Sequence, residues 1–371
     1  MRIAMLTVHP DVHSPLTSIT PLLVSALRDL GCEVQLQFWG RRRERESLWR
    51  KILQRPGDIR RLRRLLRAQA VDLVLVHTAH AWATLLRDIP LLLAIRRSGL
   101  PVVLQFHGSH SDRLVAPRRR AFKLASALLI RLSDAALVLS SEEQRQWQRF
   151  WPAGRFHVVR NPFLPAARLD PAPLRARFSI AGDAPIVLFV GRLIEAKGLL
   201  DLVAVLAQRL SPLPWHLLVV GEGPLAPQVR ADALRAGVDG RLTLTGYLRG
   251  EDLQAAYEVA DVLVLPSRSE GFPLVILEAM AAGLPVVTTA IRGMADHLRD
   301  GVNALFVPPR EPAVLATALT RLLQDGALRA RLGEANRAKV REFSPDHVVP
   351  HLLAILRQAV ATNRRASAGY G

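Results

Sequence analysis

Two glutamates, Glu270 and Glu278, are separated by seven residues in the stretch SEGFPLVILEAMAAGLPVV (269–287). Glu278 interrupts the apolar run Leu274–Ala282, where an unpaired carboxylate is unfavourable. Paired carboxylates are typical of general acid–base catalysis. A carboxylate beside a ligand site also accepts hydrogen bonds from hydroxyl groups. The local structure around Glu278 decides between these roles.

The run around Glu278 predicts a helix. Pro273 suits its first turn and Gly283 its C-terminal stop. Glu278 then lies one turn from the start, and its side chain leans back toward the open end, where it accepts two hydrogen bonds from a diol such as ribose. Backbone N–H groups of residues 271–274 are available there to anionic oxygens. The alternative is a buried ion pair between Glu278 and an arginine such as Arg292.

A second stretch, VGRLIEAKG, places two cations in a loop that follows a strand and opens a helix. Gly191 ends the strand, Arg192 and Lys197 lie in the loop, and Gly198 precedes the helix. Two cations beside a helix N-terminus hold a diphosphate without a metal. Lys197 is one of only four lysines in the chain, which favours a compact point charge at this position. Two solvated loop cations are the alternative.

A third stretch, VVGEGPLA (219–226), fits the dinucleotide-binding fingerprint Gly-x-Gly-x-x-Ala, with Asp239 further along. That fingerprint belongs on the first strand–helix–strand unit of a domain, whereas this stretch lies on the second. Pro224 and Pro227 also alter the turn. A tight turn at Gly223 that brings backbone close to a ligand is therefore favoured over a nicotinamide site.

The elements that position these residues alternate between short apolar strands and helices. Such strands, buried on both faces, indicate parallel sheets covered by helices. We predict two doubly wound α/β domains with a cleft between them and ligands beyond the carboxyl ends of the strands. The predicted boundaries are 1–165 for the first domain and 166–345 for the second, joined by a proline-rich linker without a core pattern (164–185). Residues 346–371 form a C-terminal helix, ending near Thr362, and a tail; the first domain is a candidate packing partner for this helix.

Charge is distributed unevenly along the 371 residues, whose net charge is +18. Residues 1–165 carry 27 basic and 12 acidic side chains, and residues 166–371 carry 23 and 20. The first half therefore favours an anionic partner. Nucleic acid is disfavoured as this partner, because no binding module is recognised and aromatic residues are few.

The single cysteine, Cys32, excludes an internal disulfide framework and fits a reduced compartment. Residues 1–10 lack the features of a signal peptide, and no apolar run approaches the ~18–20 residues that span a bilayer. We expect a cytoplasmic protein, either soluble or peripheral on the inner face of the plasma membrane.

The three motifs, in this order, resemble the retaining nucleotide-sugar glycosyltransferases of family 4, which have the GT-B fold. The resemblance extends across the second domain and rests on Gly191-Arg192, Lys197-Gly198, Gly221-x-Gly223, and Glu270-x7-Glu278 with Gly271-Phe272-Pro273. It implies that Arg192 and Lys197 hold the donor diphosphate, that Glu278 binds the ribose and that Glu270 contacts the transferred sugar. The remaining donor-binding positions implied are Gly191, Gly223, Gly271, Phe272 and Leu274.

The first domain carries a thinner resemblance. FHGSHSD is similar to the His-Gly segment of the family, so His107 is expected to face the sugar across the cleft; a hydrogen-bonded structural histidine is the alternative. VVRNPF resembles the strand that ends in Asn before the linker, which makes Asn161 a hinge residue. The Gly-Gly loop after the first strand is replaced by HPDVHSPLTSI (9–19), which predicts a differently shaped acceptor side. A metal site in this loop is disfavoured because three residues without a further partner are too few: His9, Asp11 and His13.

The resemblance implies sugar transfer from a nucleoside-diphosphate sugar to an acceptor hydroxyl with retention of the anomeric configuration, without a metal or another cofactor. Base contacts are expected near Gly246–Arg249, and uracil and guanine remain equally open. A sugar-nucleotide epimerase or phosphorylase of the same fold is the nearer alternative. A nicotinamide-dependent oxidoreductase and a nucleic-acid-binding protein are more distant ones.

The basic first domain predicts an acceptor that is anionic or lies on an anionic membrane, such as a glycan, a lipid-linked glycan or lipopolysaccharide of the cell envelope. Residues 41–67 predict basic helices whose apolar face carries Leu48, Trp49, Ile52 and Leu53. A membrane-surface helix and a helix packed on the sheet with its arginines in water both fit this pattern.

Overall fold

The computed structural model describes residues 1–12, 14–40, 48–68, 71–117, 119–169, 174–178, 180 and 182–368. Two compact units divide the chain. Unit 1 comprises Met1–Leu164 and Glu342–Gly371, and unit 2 comprises Pro165–Arg341. Each unit contains a six-stranded sheet in which all strand pairs are parallel.

Unit 1 contains the first six strands, namely β1 (Arg2–Thr7), β2 (Glu33–Phe38), β3 (Leu73–His80), β4 (Val102–Ser109), β5 (Ala135–Val138) and β6 (Phe156–Val158). Its helices before the linker are α1 (Leu16–Asp29), α2 (Leu48–Ala68), α3 (Trp82–Arg96), α4 (Asp112–Val115), α5 (Arg120–Arg131) and α6 (Ser141–Phe150). The sheet order is β2-β1-β3-β4-β5-β6, so the direction in which the chain adds strands reverses between β1 and β3.

Unit 2 contains the strands β7 (Ile186–Val190), β8 (His216–Val220), β9 (Leu242–Gly246), β10 (Val262–Leu265), β11 (Val286–Thr288) and β12 (Ala304–Phe306). Its helices are α7 (Leu174–Arg177), α8 (Leu199–Arg209), α9 (Ala226–Arg235), α10 (Gly250–Val259), α11 (Leu274–Ala282), α12 (Gly293–His297), α13 (Pro312–Gln324) and α14 (Gly326–Val340). The sheet order is β12-β11-β10-β7-β8-β9, so the reversal lies between β7 and β10.

The strands explain the predicted fold class. Every residue of β5, β7, β8 and β10 is buried, because helices cover both faces of each sheet. Most strands coincide with short apolar runs of the sequence, whereas β2 (EVQLQF) and β9 (LTLTG) alternate apolar and polar residues. The prediction of two doubly wound α/β domains is confirmed.

Two segments differ from their predictions. The linker was expected to lack a core pattern, but it contains α7, and Phe178 and Ile180 are buried. Its end therefore packs onto unit 2, where α7 contacts α10. The C-terminal helix, α15 (Pro345–Ala368), extends beyond the predicted end at Thr362 and packs on α1 in unit 1. Among the described residues, no helix combines the length and apolar character that crossing a bilayer requires.

Candidate active site

The motif loops of unit 2 meet at the point where its sheet reverses direction. One loop follows β7 and the other follows β10, and these two strands are neighbours in the sheet. In doubly wound sheets, ligands bind at such a switch point beyond the carboxyl ends of the strands. The fold therefore places the predicted cations and glutamates where a ligand is expected.

The central contact at this point is an ion pair between Lys197 and Glu270. The Lys197 and Glu270 side chains are only 16% and 11% exposed. The Ser267 hydroxyl donates to Glu270 Oε1 at 3.0 Å. Residues 73 positions apart in the chain thus form one polar cluster.

Arg192 lies in the same loop as Lys197 but differs from it in exposure and pairing. Its side chain is exposed, and within the described part of the chain it has no hydrogen-bond or ion-pair partner. Arg268, which sequence reasoning missed, pairs with Glu195 at 2.6 Å and Asp201 at 3.1 Å. Arg268 therefore holds the loop in place, whereas Arg192 is available to a ligand.

The Gly-x-Gly turn after β8 supports the first loop through backbone contact. A Cβ atom on Gly221 would lie 2.0 Å from the Gly191 carbonyl oxygen, and one on Gly223 would lie 2.4 Å from the Leu193 carbonyl oxygen. The Leu193 N–H donates to the Glu222 carbonyl at 2.9 Å. This close packing explains why both positions require glycine, and the explanation does not need a nicotinamide cofactor.

Helix α11 begins at Leu274, with Pro273 as its N-cap in an extended conformation. The prediction that Pro273 lies in the first turn is wrong by one position. In the described part of the chain, the N–H groups of Gly271 and Leu274 have no acceptor. The Phe272 ring is buried against His297, with centroids 4.8 Å apart. Phe272 therefore anchors the loop through its side chain. The N–H groups of Gly271 and Leu274 remain available for the anion contacts predicted for the backbone.

Glu278 accepts a hydrogen bond from the hydroxyl of Tyr257, with 2.6 Å between Tyr257 Oη and Glu278 Oε2. The alternative pairing of Glu278 with Arg292 is wrong. Burial raises the pKa of Glu278, and the Tyr257 hydrogen bond opposes this in part. Burial, followed by the charge of Glu278, raises the pKa of Tyr257. Sequence reasoning missed Tyr257, because a tyrosine within an amphipathic helix gives no signal of its partner.

Tyr247 follows β9 in the segment predicted to contact the base. Its ring is exposed, and the Arg249 guanidinium lies 5.0 Å from the ring centroid. The Gly246 carbonyl accepts from the Gly221 N–H at 2.8 Å, which connects this segment to the Gly-x-Gly turn. An exposed aromatic beside the other motif loops offers a surface on which a base stacks.

In unit 1, His107 near the end of β4 is bound to His77 of β3, with 2.8 Å between His107 Nε2 and His77 Nδ1. Burial lowers the pKa of His107 to about 4, opposed in part by the Asn161 side chain. Burial, then the neighbouring His107, lowers the pKa of His77 well below its usual value. Both rings are therefore neutral at neutral pH, and His77 was missed by sequence reasoning. The hinge role of Asn161 stays a prediction.

The loop after β1, where the sequence disfavours a metal site, is described only in part. His9 lies 3.4 Å from Asp11, but His13 is outside the described residues. Groups of three or more metal-ligating side chains do not occur in the described part of the chain. The predicted basic helix at 41–67 is described only in part: residues 41–47 and the side chains of 48–55, which include its apolar face, lie outside the described set.

Comparison with known families matches both units. Residues 22–163 match the family model described as Glycosyltransferase Family 4, and residues 184–325 match the one described as glycosyl transferases group 1. A D-inositol 3-phosphate glycosyltransferase from Xylanimonas cellulosilytica is 31% identical over 295 residues, which cover 74% of this chain and 69% of the relative.

Solved structures resemble the whole chain. Sucrose-phosphate synthase from Thermosynechococcus elongatus aligns with a TM-score of 0.79 and 24% identity, covering 98% of this chain and 100% of that one. The Anabaena protein HepE, in complex with UDP and glucose, aligns with a TM-score of 0.75 and 19% identity over 96% of this chain and 100% of that one. The predicted GT-B fold is confirmed by these likenesses.

Proposed function

Because the chain belongs to the family 4 glycosyltransferases of group 1, we propose that it transfers a sugar from a nucleoside diphosphate to an acceptor hydroxyl with retention of the anomeric configuration. The observation that carries the proposal is the cluster at the β7–β10 switch point. There the Lys197–Glu270 ion pair, the exposed Arg192 and the N–H groups at the start of α11 lie on neighbouring loops.

The donor fits this cluster by charge and by hydrogen bonding. Arg192, Lys197 and the α11 N–H groups bind the diphosphate. The Glu278 carboxylate accepts hydrogen bonds from the ribose hydroxyls, and Glu270 from the transferred sugar. Tyr247 offers a stacking surface for the base. A UDP-sugar is the proposed donor, and the HepE complex with UDP and glucose supports it by analogy.

The proposed reaction relies mainly on electrostatic stabilisation. The bond between the anomeric carbon and the diphosphate oxygen breaks while the acceptor oxygen bonds to the same face of the sugar. The acceptor proton passes to the leaving diphosphate. Lys197 and Arg192 stabilise the charge that grows on the leaving phosphate. This positive charge comes from the chain itself, so the proposed reaction needs no metal.

The acceptor is proposed to bind unit 1, whose sequence is strongly basic. An acceptor that carries phosphate, or that is anchored in an anionic membrane, matches this charge. His107 offers a neutral imidazole to a substrate hydroxyl. Cell-envelope glycans and lipid-linked glycans that carry phosphate or a lipid anchor are the proposed acceptor class.

Thermal-shift measurements with UDP, GDP and NAD test the proposed donor. We expect a nucleoside diphosphate to raise the Tm and NAD to leave it unchanged, because a ligand of the folded state stabilises it by mass action. Lys197→Ala should remove the shift, while the exposed-cation control Arg209→Ala should retain it. Stabilisation by NAD alone would contradict glycosyl transfer.

A further inference from the structure

Helices α3 and α5 of unit 1 carry apolar side chains on the side that faces away from their sheet. Their inner sides present residues such as Leu85 and Phe122 to the unit 1 core. Their outer sides carry five exposed side chains, which we define as the apolar face: Trp82, Leu86, Leu93, Leu124 and Leu128. Leu86 is 71% exposed and Leu124 is 72% exposed. Exposed apolar side chains grouped in this way mark an interaction surface.

The two helices form one continuous surface. Helix α3 connects β3 to β4, and α5 lies on the connection from β4 to β5, so the chain moves in the same direction across the sheet both times. Right-handed crossovers place both helices on the same side of the sheet. The helices also contact each other, and Trp82 meets Phe122 edge-on with ring centroids 5.5 Å apart.

The exposed charges on α3 and α5 themselves are positive. Five cations on or beside these helices have no carboxylate partner in the part of the chain that the structure describes: Arg97, Arg119, Arg120, Lys123 and Arg131. The only acid on α3, Asp88, is buried and bound by Arg87 and Trp39, and the sequence of α5 contains no acid. Neither helix exposes a carboxylate.

Helix α2 extends the positive surface. It packs against α3 and exposes Arg60 and Arg64. Arg60 and Arg64, in the described part of the basic segment, therefore lie on a helix that contacts α3. A protein partner would have to be acidic, and a second copy of this face would set arginine against arginine. An anionic lipid bilayer complements both the leucines and the cations.

We propose that the apolar face of α3 and α5 docks unit 1 on an anionic lipid bilayer. The leucines and Trp82 enter the interfacial region, and the surrounding arginines bind lipid phosphates. This inference goes beyond the proposed reaction and does not depend on it, because the surface is independent of the donor cluster in unit 2. A bilayer contact of this kind would hold the protein beside a lipid-linked acceptor.

Vesicle flotation tests the apolar part of the surface. At low ionic strength, we expect the full chain to float with vesicles of phosphatidylcholine and phosphatidylglycerol and to remain in solution with phosphatidylcholine alone. Leu86→Ser combined with Leu124→Ser should lower the bound fraction at least roughly tenfold, because two leucines lose their burial in lipid. Leu234→Ser, at a leucine 66% exposed on α9 of unit 2, is the matched control and should bind like the wild type.

A second pair of variants tests whether the position of the cations matters. Arg120→Gln with Arg131→Gln should weaken binding by about fivefold for each arginine removed. The control is Arg209→Gln with Arg230→Gln, which changes the net charge equally at exposed positions of unit 2 that lack partners in the described part of the chain. An equal loss in both pairs would overturn the proposal, since net charge alone would then explain binding.

Two further results would also overturn it. One is a wild-type chain that fails to float with the anionic vesicles at low salt. The other is a dimer in sedimentation that the Leu86→Ser and Leu124→Ser variant abolishes while flotation stays unchanged, which would assign the face to a second copy. Because all the substituted side chains are exposed, each variant should keep the wild-type Tm, and that measurement separates loss of binding from loss of folding.

Discussion

The two units carry polar clusters of different charge. At the β7–β10 switch point of unit 2, Lys197 and Glu270 form an ion pair, and Arg192 is exposed beside them. On β3 and β4 of unit 1, His77 and His107 share a hydrogen bond, and burial lowers both pKa values, that of His107 to about 4. The unit 2 residues lie in loops beyond the strands, whereas both histidines lie within strands.

This difference follows from burial and has consequences for ligands. A charge survives at a strand end only where it is paired or reaches solvent. The loops of unit 2 provide both conditions and suit an anionic diphosphate. In unit 1, His77 is buried and holds the partly exposed His107, whose neutral imidazole suits a hydroxyl group. Loops beyond the strands thus keep a charged cluster, whereas the strands themselves hold a neutral one.

Lys197→Ala is expected to have the largest effect, because it removes a cation from the charged cluster of unit 2. We expect kcat to fall about a hundredfold, or about 3 kcal/mol in transition-state stabilisation. The measurement is the initial rate of nucleoside-diphosphate release with the donor found by thermal shift. Arg209→Ala should retain the wild-type rate. Near-normal turnover of a folded Lys197→Ala variant would contradict the assignment.

Acid should destabilise unit 1, because its buried histidine pair is neutral in the folded state. In the unfolded state His107 becomes protonated below pH 6.5, whereas in the folded state it becomes protonated only near pH 4. The stability that the neutral His107 contributes is therefore complete above pH 6.5 and is lost as the pH falls through about 4. The expected loss is on the order of 3 kcal/mol for this residue. Urea unfolding followed by tryptophan fluorescence reports mainly on unit 1, which holds five of the six tryptophans. In His107→Gln the pH dependence should be flatter, and an unchanged slope would exclude His107 as its source.

Gly221→Ala tests the backbone support of the charged loop. The added Cβ would approach the Gly191 carbonyl oxygen to 2.0 Å at a φ of +135°. We expect the free energy of unfolding to fall by about 1–3 kcal/mol and donor affinity to fall with it. Gly240→Ala is the control, because a Cβ there meets open space. Equal effects of the two substitutions on Tm would show that the close approach is unimportant.

Tyr257→Phe sharpens the comparison with the smallest expected effect. In the proposed site, Tyr257 positions Glu278 through its hydrogen bond, so its loss should weaken nucleoside-diphosphate binding by about fivefold, or about 1 kcal/mol, with kcat little changed. Calorimetry with the 2′-deoxy diphosphate provides the control. The loss should be smaller there, because the ribose diol is incomplete. An equal loss for both ligands would indicate a structural role for Tyr257 instead.

Much of the fold could be predicted because its signals are local. The central strands of a parallel sheet are buried on both faces and therefore appear as short apolar runs. The glycines and charged residues of the motif loops also stand out from these runs. The packed end of the linker was missed because the isolated apolar residues Phe178 and Ile180 form no periodic pattern. The partners of Glu278 and His107 were missed because Tyr257 and His77 are 21 and 30 residues away in the chain.

By itself, the sequence determined the alternation of strands and helices, the placement of the motif residues in loops that follow strands and the basic character of the first half. These properties follow from local periodicity and composition. Only the tertiary structure decided that Lys197 pairs with Glu270, that Tyr257 rather than Arg292 binds Glu278, and that burial lowers the pKa values of His77 and His107. It also decided that leucines of α3 and α5 remain exposed. Pairing, pKa and exposure depend on distances between residues remote in sequence, which local patterns do not encode.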